Sequence, residues 1–102
     1  MAPETRVPEV DTLLHEPARL RILALLAMVE SADFMYLLRR TGLSRGNLSV
    51  QMSRLTDAGI VELERTIGGS RARTTYSLTR QGRDALRVYR RTMQSLLEAF
   101  PE

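Results

Sequence analysis

Residues 41–59 read Thr41-Gly42-Leu43-Ser44-Arg45-Gly46-Asn47-Leu48-Ser49-Val50-Gln51-Met52-Ser53-Arg54-Leu55-Thr56-Asp57-Ala58-Gly59. Gly42 can take the left-handed backbone that ends a helix. Ser44 can cap a new helix two residues later with its hydroxyl. Leu43, just before that cap, is placed to pack on Leu48 inside the helix as a hydrophobic staple. Leu48, Met52 and Leu55 then recur at i, i+4 and i+7 and share one face. Arg45, Asn47, Val50, Gln51 and Arg54 occupy the other side, and Ala58-Gly59 closes the segment. The spacing predicts a helix over 44–58. A helix that stops at Gly42 and restarts at Ser44 makes a helix-turn-helix.

Upstream, Phe34, Leu37 and Leu38 form the stripe of the preceding helix, with Ser31 or Asp33 as its cap. Before that, Leu20, Ile22, Leu23, Leu26, Ala27 and Val29 are dense enough to predict a buried helix, and Pro17 suits its first turn. Asp11 can cap a short turn carrying Leu13 and Leu14. Residues 1–10 carry Pro3 and Pro8, which oppose helix, and are expected to be a flexible arm.

Downstream, residues 60–67 alternate, with Val61 and Leu63 on one side and Glu62 and Glu64 on the other. Gly68-Gly69-Ser70 signals a turn, and residues 74–79 alternate again with Tyr76 and Leu78 together. The result is a β-hairpin over about 65–75, with Arg71 and Arg73 at or beside its tip. Thr79 is positioned to cap a last helix of about 80–100. Its apolar residues Ala85, Leu86, Tyr89, Met93, Leu96, Leu97 and Phe100 form a stripe along its full length. The last of these would be exposed in a single copy unless Leu13 and Leu14 cover them. Burying an exposed leucine is worth roughly 1.5–3 kcal/mol. A homodimer joined through Leu13, Leu14, Tyr89, Met93, Leu96, Leu97 and Phe100 is therefore expected.

The 102 residues fit one domain, expected over 11–102, and a chain this short gains stability from a second copy. There is no cysteine and a single histidine, His15. Disulfides and thiolate metal sites are excluded, as is a two-histidine metal site within one chain. No metal or cofactor is expected. The longest apolar run, residues 22–29, is far too short to span a bilayer. The N-terminal residues lack a basic-then-apolar signal pattern, so a cytoplasmic protein is expected.

The net charge is +3, and every basic residue is arginine, a usage that high-GC coding also favours. Its distribution is more telling. Residues 39–91 hold twelve arginines against four acids, whereas residues 1–38 hold three arginines and six acids. The basic stretch is the candidate footprint for a polyanion.

The order helix, helix, helix, strand, wing, strand, helix resembles the winged helix-turn-helix regulators of bacteria. Within them it is similar to the short winged helix DNA-binding domain family, related to the MarR and ArsR regulators. The residues that carry the likeness span about 15–91. They are His15-Glu16-Pro17-Ala18-Arg19-Leu20-Arg21-Ile22-Leu23, Thr41-Gly42-Leu43-Ser44-Arg45-Gly46-Asn47-Leu48-Ser49, Leu55-Thr56-Asp57-Ala58-Gly59-Ile60-Val61 and Thr74-Thr75-Tyr76-Ser77-Leu78-Thr79-Arg80-Gln81-Gly82-Arg83. The resemblance implies a mainly α fold with a small β-hairpin, and a transcription factor acting as a homodimer through its terminal helices. Two departures matter. The family often has histidine where this chain has Gln51, and the cysteine and histidine ligands of metal-sensing ArsR proteins are missing.

The candidate DNA-binding residues are Ser44, Arg45, Gly46, Asn47, Val50, Gln51 and Arg54 in the reading helix, and Ser70, Arg71 and Arg73 in the wing. Arginine–guanine and glutamine–adenine pairs each discriminate by roughly 1–3 kcal/mol, which favours Arg45 and Gln51 as base readers. Ser44 and Asn47 are candidates for phosphate. Arg71 and Arg73 suit the minor groove or the backbone. Arg39, Arg40 and Arg65 are weaker phosphate candidates. His15 reads as structural, and Met28, Met35, Met52 and Met93 as core filler.

The expected partners are a palindromic double-stranded DNA operator, a second copy of the chain and a small-molecule effector that no residue pattern specifies. A repressor is the expected regulator type. No nucleophile–base pair or phosphate-cradling loop stands out, so no enzyme is expected. The alternative reading is a winged-helix module that binds another protein and leaves DNA alone, since one fold serves both uses.

Overall fold

In the computed structural model, which describes residues 6–68 and 71–102, four helices pack with a three-stranded antiparallel sheet. The elements run α1 (Pro17–Met28), β1 (Ala32–Asp33), α2 (Phe34–Thr41), α3 (Arg45–Asp57), β2 (Val61–Gly68), β3 (Arg71–Leu78) and α4 (Arg80–Glu98). The mainly α fold with a β-hairpin wing and a long last helix is as expected.

Each helix begins where a side chain can satisfy free backbone N–H groups. Pro17 opens α1, and the Glu16 carboxylate accepts from Ala18 N and Arg19 N at 3.1 and 2.9 Å. Those N–H groups, Arg19's first, hold the Glu16 carboxyl below its ordinary range. Of the two possible caps for α2, Asp33 is the one used, with Oδ1 accepting from Tyr36 N at 2.7 Å. Ser44 Oγ accepts from Asn47 N at 3.1 Å to cap α3, and Thr79 Oγ1 accepts from Gly82 N at 2.9 Å to cap α4. Between α2 and α3, Gly42 takes φ +73°, a backbone that L side chains rarely adopt, and its N–H bonds back to Leu38 O.

The core gathers one or more side chains from nearly every element. Leu14, Ile22, Leu23, Leu26, Leu37, Leu48, Leu55 and Val61 are its fully buried large residues. Leu48, Met52 and Leu55 are the buried face of α3, and Leu43 packs half-buried against the same core. Leu14, expected to help cover the last helix or the dimer seam, is instead wholly buried in its own domain. The Asp11 turn carries it there: Asp11 Oδ1 accepts from Leu13 N and Leu14 N at 2.9 and 3.2 Å.

The strand β1 lies outside the expectations from sequence. Two residues are too few to show an alternation. It pairs Ala32 with Tyr76 and Asp33 with Thr75, so the sheet order is β1-β3-β2. The pairing of β2 with β3 runs from Val61 opposite Leu78 out to Gly68 opposite Arg71. Only the inner end of this ribbon reaches the core. Val61 and Leu78 are buried, but Leu63 is 50% exposed and Ile67 85% exposed. Leu63, on the same side of β2 as Val61, is half exposed because the ribbon has already left the body there.

Gly82 joins α4 to the body. A Cβ built on it would lie 2.1 Å from Ile60 O, so the first turn of α4 packs backbone against backbone. Thr79 N donates to the same carbonyl at 3.0 Å. Farther along, Ala85, Leu86 and Tyr89 still pack on the core. Among the described residues no helix is long and apolar enough to cross a membrane.

Candidate nucleic-acid interface

The outer face of α3 is available because three buried side chains hold the opposite face down. Arg45, Gly46, Asn47, Val50 and Arg54 are all exposed, as is the cap Ser44. Val50 is 51% exposed, an apolar group set among polar ones. Gly46 has nothing within 4 Å of where a Cβ would sit, so the backbone there is open to solvent. The Arg45 guanidinium approaches the Met35 sulfur at 3.8 Å. These side chains form one continuous polar surface.

Gln51 differs from its neighbours. It was expected on the outward face as a base reader, and it is half-buried with its amide bonded at both ends. Its Oε1 accepts from Arg19 Nη1 at 2.8 Å, and its Nε2 donates to Asn47 Oδ1 at 3.0 Å. Arg19 is only 8% exposed. Its Nε donates to Leu13 O, and its Nη1 lies 3.8 Å from Glu16 Oε2. Nothing in the reading helix alone could have shown this contact. One signal existed elsewhere: Arg19, Ile22, Leu23 and Leu26 fall at i, i+3, i+4 and i+7, so the arginine occupies a core position of α1.

The wing supplies a second surface. Ser70 and the side chain of Arg71 lie outside the described residues. The backbone of Arg71 pairs with Gly68 at the end of the ribbon. Arg73 sits two pairs inward, opposite Thr66, and its Nη2 reaches Asp33 Oδ2 at 3.1 Å. Its side chain remains 70% exposed. The Tyr36 N–H is the main cause holding the Asp33 carboxyl below its ordinary range, and Arg73 assists. Asp33 thus caps α2 and steadies the wing, a double role that its place beside α2 does not reveal.

Between α3 and the wing lies an open cleft of about 270 Å³, lined by Ser49, Met52, Ser53, Thr56, Asp57, Leu63 and Tyr76. Burial pushes the Tyr76 hydroxyl's pKa up. Side chains alternate along a strand, so Arg65 and Ile67 share the face of Leu63, which borders α3. Arg65 therefore flanks the cleft with Arg54's helix, while Arg73 leans to the opposite side toward Asp33. On α2, Arg39 and Arg40 are exposed, and the Arg40 guanidinium lies 5.7 Å from the Tyr36 ring centre.

The candidate seam residues separate into two groups. Leu13 and Tyr89 are half-buried against the body, and Leu14 is wholly within it. His15 Nδ1 and Tyr89 Oη lie 2.8 Å apart, which ties the N-terminal turn to α4 and supports the structural reading of His15. Met93 and Leu96 are half-buried, whereas Leu97 and Phe100 are 54% and 62% exposed. The apolar stripe of α4 thus runs past the point where its own domain can cover it.

A family model described as a winged helix DNA-binding domain matches residues 18–97. An uncharacterised protein of Methanocaldococcus jannaschii is 32% identical over 77 residues, which is 76% of this chain and 84% of that one. The structure is similar to that of a transcriptional regulator homologue from Pyrococcus horikoshii. The TM-score is 0.78 at 24% identity, covering 84% of this chain and 85% of the other. It also resembles a MarR-family transcriptional regulator of Enterococcus faecalis, with a TM-score of 0.70 at 18% identity over 85% and 74% of the two chains.

Proposed function

The chain belongs to the winged helix DNA-binding domain family, and from that premise we propose that it is a sequence-specific transcriptional repressor that works as a homodimer. In this reading α3 enters the major groove, with Arg45, Asn47, Val50, Gln51 and Arg54 toward the base edges. Ser44 and the open backbone at Gly46 lie against phosphate. The wing, through Ser70, Arg71 and Arg73, follows the adjacent backbone or minor groove. Arg65 joins this set, because it shares the wing face that borders α3.

One observation carries the reading. Five of the twelve arginines of residues 39–91 fall on two neighbouring elements, Arg45 and Arg54 on α3, whose opposite face is anchored by burial, and Arg65, Arg71 and Arg73 on the ribbon of β2 and β3. A helix that is merely solvated needs neither the ribbon nor the cleft between them.

The dimer is proposed from the far end of α4. Met93, Leu96, Leu97 and Phe100 offer an apolar surface beyond the reach of their own domain, and a two-fold partner covers such a stripe with its own copy. Two-fold symmetry then calls for a palindromic operator, with half-sites about 10 bp apart or a multiple of that. Repression follows from occupancy of such a site in the cytoplasm, beside the chromosome.

Fluorescence anisotropy on the DNA upstream of its own gene, repeated over a range of salt, tests the proposal. Each phosphate neutralised contributes about 0.9 to the slope of log affinity against log salt. Binding that falls steeply with salt and saturates at two chains per site supports it. Absence of salt-sensitive binding at micromolar protein sinks it.

A further inference from the structure

The buried Arg19 does not face solvent, yet it governs what the reading helix can display. An arginine side chain has donors and no acceptor. Gln51 must therefore turn its oxygen inward to meet Arg19 Nη1, at 2.8 Å. That leaves Gln51 Nε2 facing outward, and it donates to Asn47 at 3.0 Å. Asn47 must then turn its own oxygen toward Gln51, which leaves its NH2 group outward on an exposed residue. Each step dictates the next.

We propose that Arg19 is a specificity-determining positioning residue, whose clamp on Gln51 turns the amide donors of Asn47 and Gln51 outward, so that this surface of α3 favours acceptor edges of bases. The inference rests on the DNA-binding reading above. Asparagine and glutamine ordinarily pair with adenine by donating to N7 and accepting from N6. Here each amide oxygen already accepts one internal hydrogen bond, so at most one lone pair of each is left and the accepting half of that pair is weakened. Guanine, with acceptors at both N7 and O6, matches two outward donors. Arg45 and Arg54 on the same face only donate. The clamp itself is well held: Arg19 Nε is engaged by Leu13 O, and Glu16 stands 3.8 Å away.

Base preference, separated from affinity, is the test. A half-site library randomised at each position is selected with the unaltered protein, with Arg19→Met and with Gln51→Glu. The unaltered protein is expected to prefer guanine over adenine by about tenfold at the position under Asn47 and Gln51. Arg19→Met frees the amide, and that ratio falls toward unity. Gln51→Glu keeps Arg19 paired, so the fold is preserved. Its new carboxylate accepts from Asn47, which must then turn its oxygen outward. Preference at that position moves to adenine or cytosine, whose amino groups donate. An unchanged ranking of the four bases in both variants, whatever happens to affinity, overturns the proposal.

The side-chain amide signals of Gln51 give a readout without DNA. Hydrogen exchange at Nε2 is expected to be slower in the unaltered protein than in Arg19→Met, and equal rates overturn the clamp itself. Absence of DNA binding by the unaltered protein would overturn the functional reading and the base preference with it. The amide signals would still decide, separately, whether the clamp exists.

Discussion

The reading helix and the wing stand side by side, yet they are held by different forces. Leu48, Met52 and Leu55 sink the inner face of α3 into the core, at 0%, 2% and 0% exposure. Beyond Val61 and Leu78 the described part of the wing has no fully buried side chain, only the half-buried Tyr76 packed on the core. Backbone pairing between β2 and β3, the two-residue strand β1 and the contact from Arg73 to Asp33 hold it instead. The helix is positioned by burial, which is strong and insensitive to salt. The wing is positioned by edge pairing and an exposed ion pair, which is weak and screened. A rigid reader beside a compliant grip suits a surface that must find one register while tolerating local variation in groove shape.

The comparison breaks most readily at the core of α3. Leu55→Ala removes a fully buried side chain beneath the reading face, and a loss of about 2–5 kcal/mol is expected. Urea unfolding followed by circular dichroism measures it. A loss below 1 kcal/mol would mean that α3 is not held by burial.

Gly82→Ala tests the junction of α4. The added methyl meets the Ile60 carbonyl, which is backbone and cannot swing away. Destabilisation by about 1–3 kcal/mol is expected, as for overpacking elsewhere. The His15–Tyr89 contact should loosen with it, seen as a shift of the His15 ring signals in NMR spectra. Gly46→Ala is the contrasting control. Its methyl has open space, so stability should hold or rise by up to about 1 kcal/mol.

On the wing, stability and binding should separate. Changing Arg71 and Arg73 together to alanine is expected to leave unfolding within about 0.5 kcal/mol of the original. The same change should weaken all DNA sequences alike and lower the salt slope by up to about two per protomer. Arg65→Ala should lower it by about one. A shift in sequence preference from these changes, with the slope unchanged, would reverse the division of labour between wing and helix.

The smallest effect is at Asp33. Its folded pKa is lowered below its ordinary 3.8, chiefly by the Tyr36 N–H. The stability it contributes is therefore complete above that value and lost as pH falls through the lowered one. Asparagine also caps helices well, so Asp33→Asn should cost less than about 1 kcal/mol at neutral pH. The variant should also lose less stability than the original protein between pH 5 and pH 2. Parallel acid-unfolding curves would contradict this.

Much of the reading helix was legible without coordinates. Ser44 as cap, Gly42 as left-handed stop and the Leu48/Met52/Leu55 stripe all depend on neighbours within one or two turns. The strand β1 was not, because two residues carry no period. Alternation put Val61 and Leu63 on one side of β2, but it assigns faces and not where a ribbon leaves the body, so the burial of Val61 and exposure of Leu63 were not legible. Arg73 was read as a wing contact to DNA and Gln51 as a base reader, and neither segment's local pattern showed the bonds they make to Asp33 and Arg19.

What the sequence determined by itself is local: where helices start and stop, which face of each is apolar, and that arginine gathers in residues 39–91. The tertiary structure alone decided the partnerships. Arg19 meets Gln51 across 32 residues, Arg73 meets Asp33 across 40, and His15 meets Tyr89 across 74. Caps and stripes obey short-range geometry that any stretch of chain carries within itself. Hydrogen-bond partners so far apart in sequence are chosen only when packing brings their elements together, and that choice sets which groups the reading helix presents.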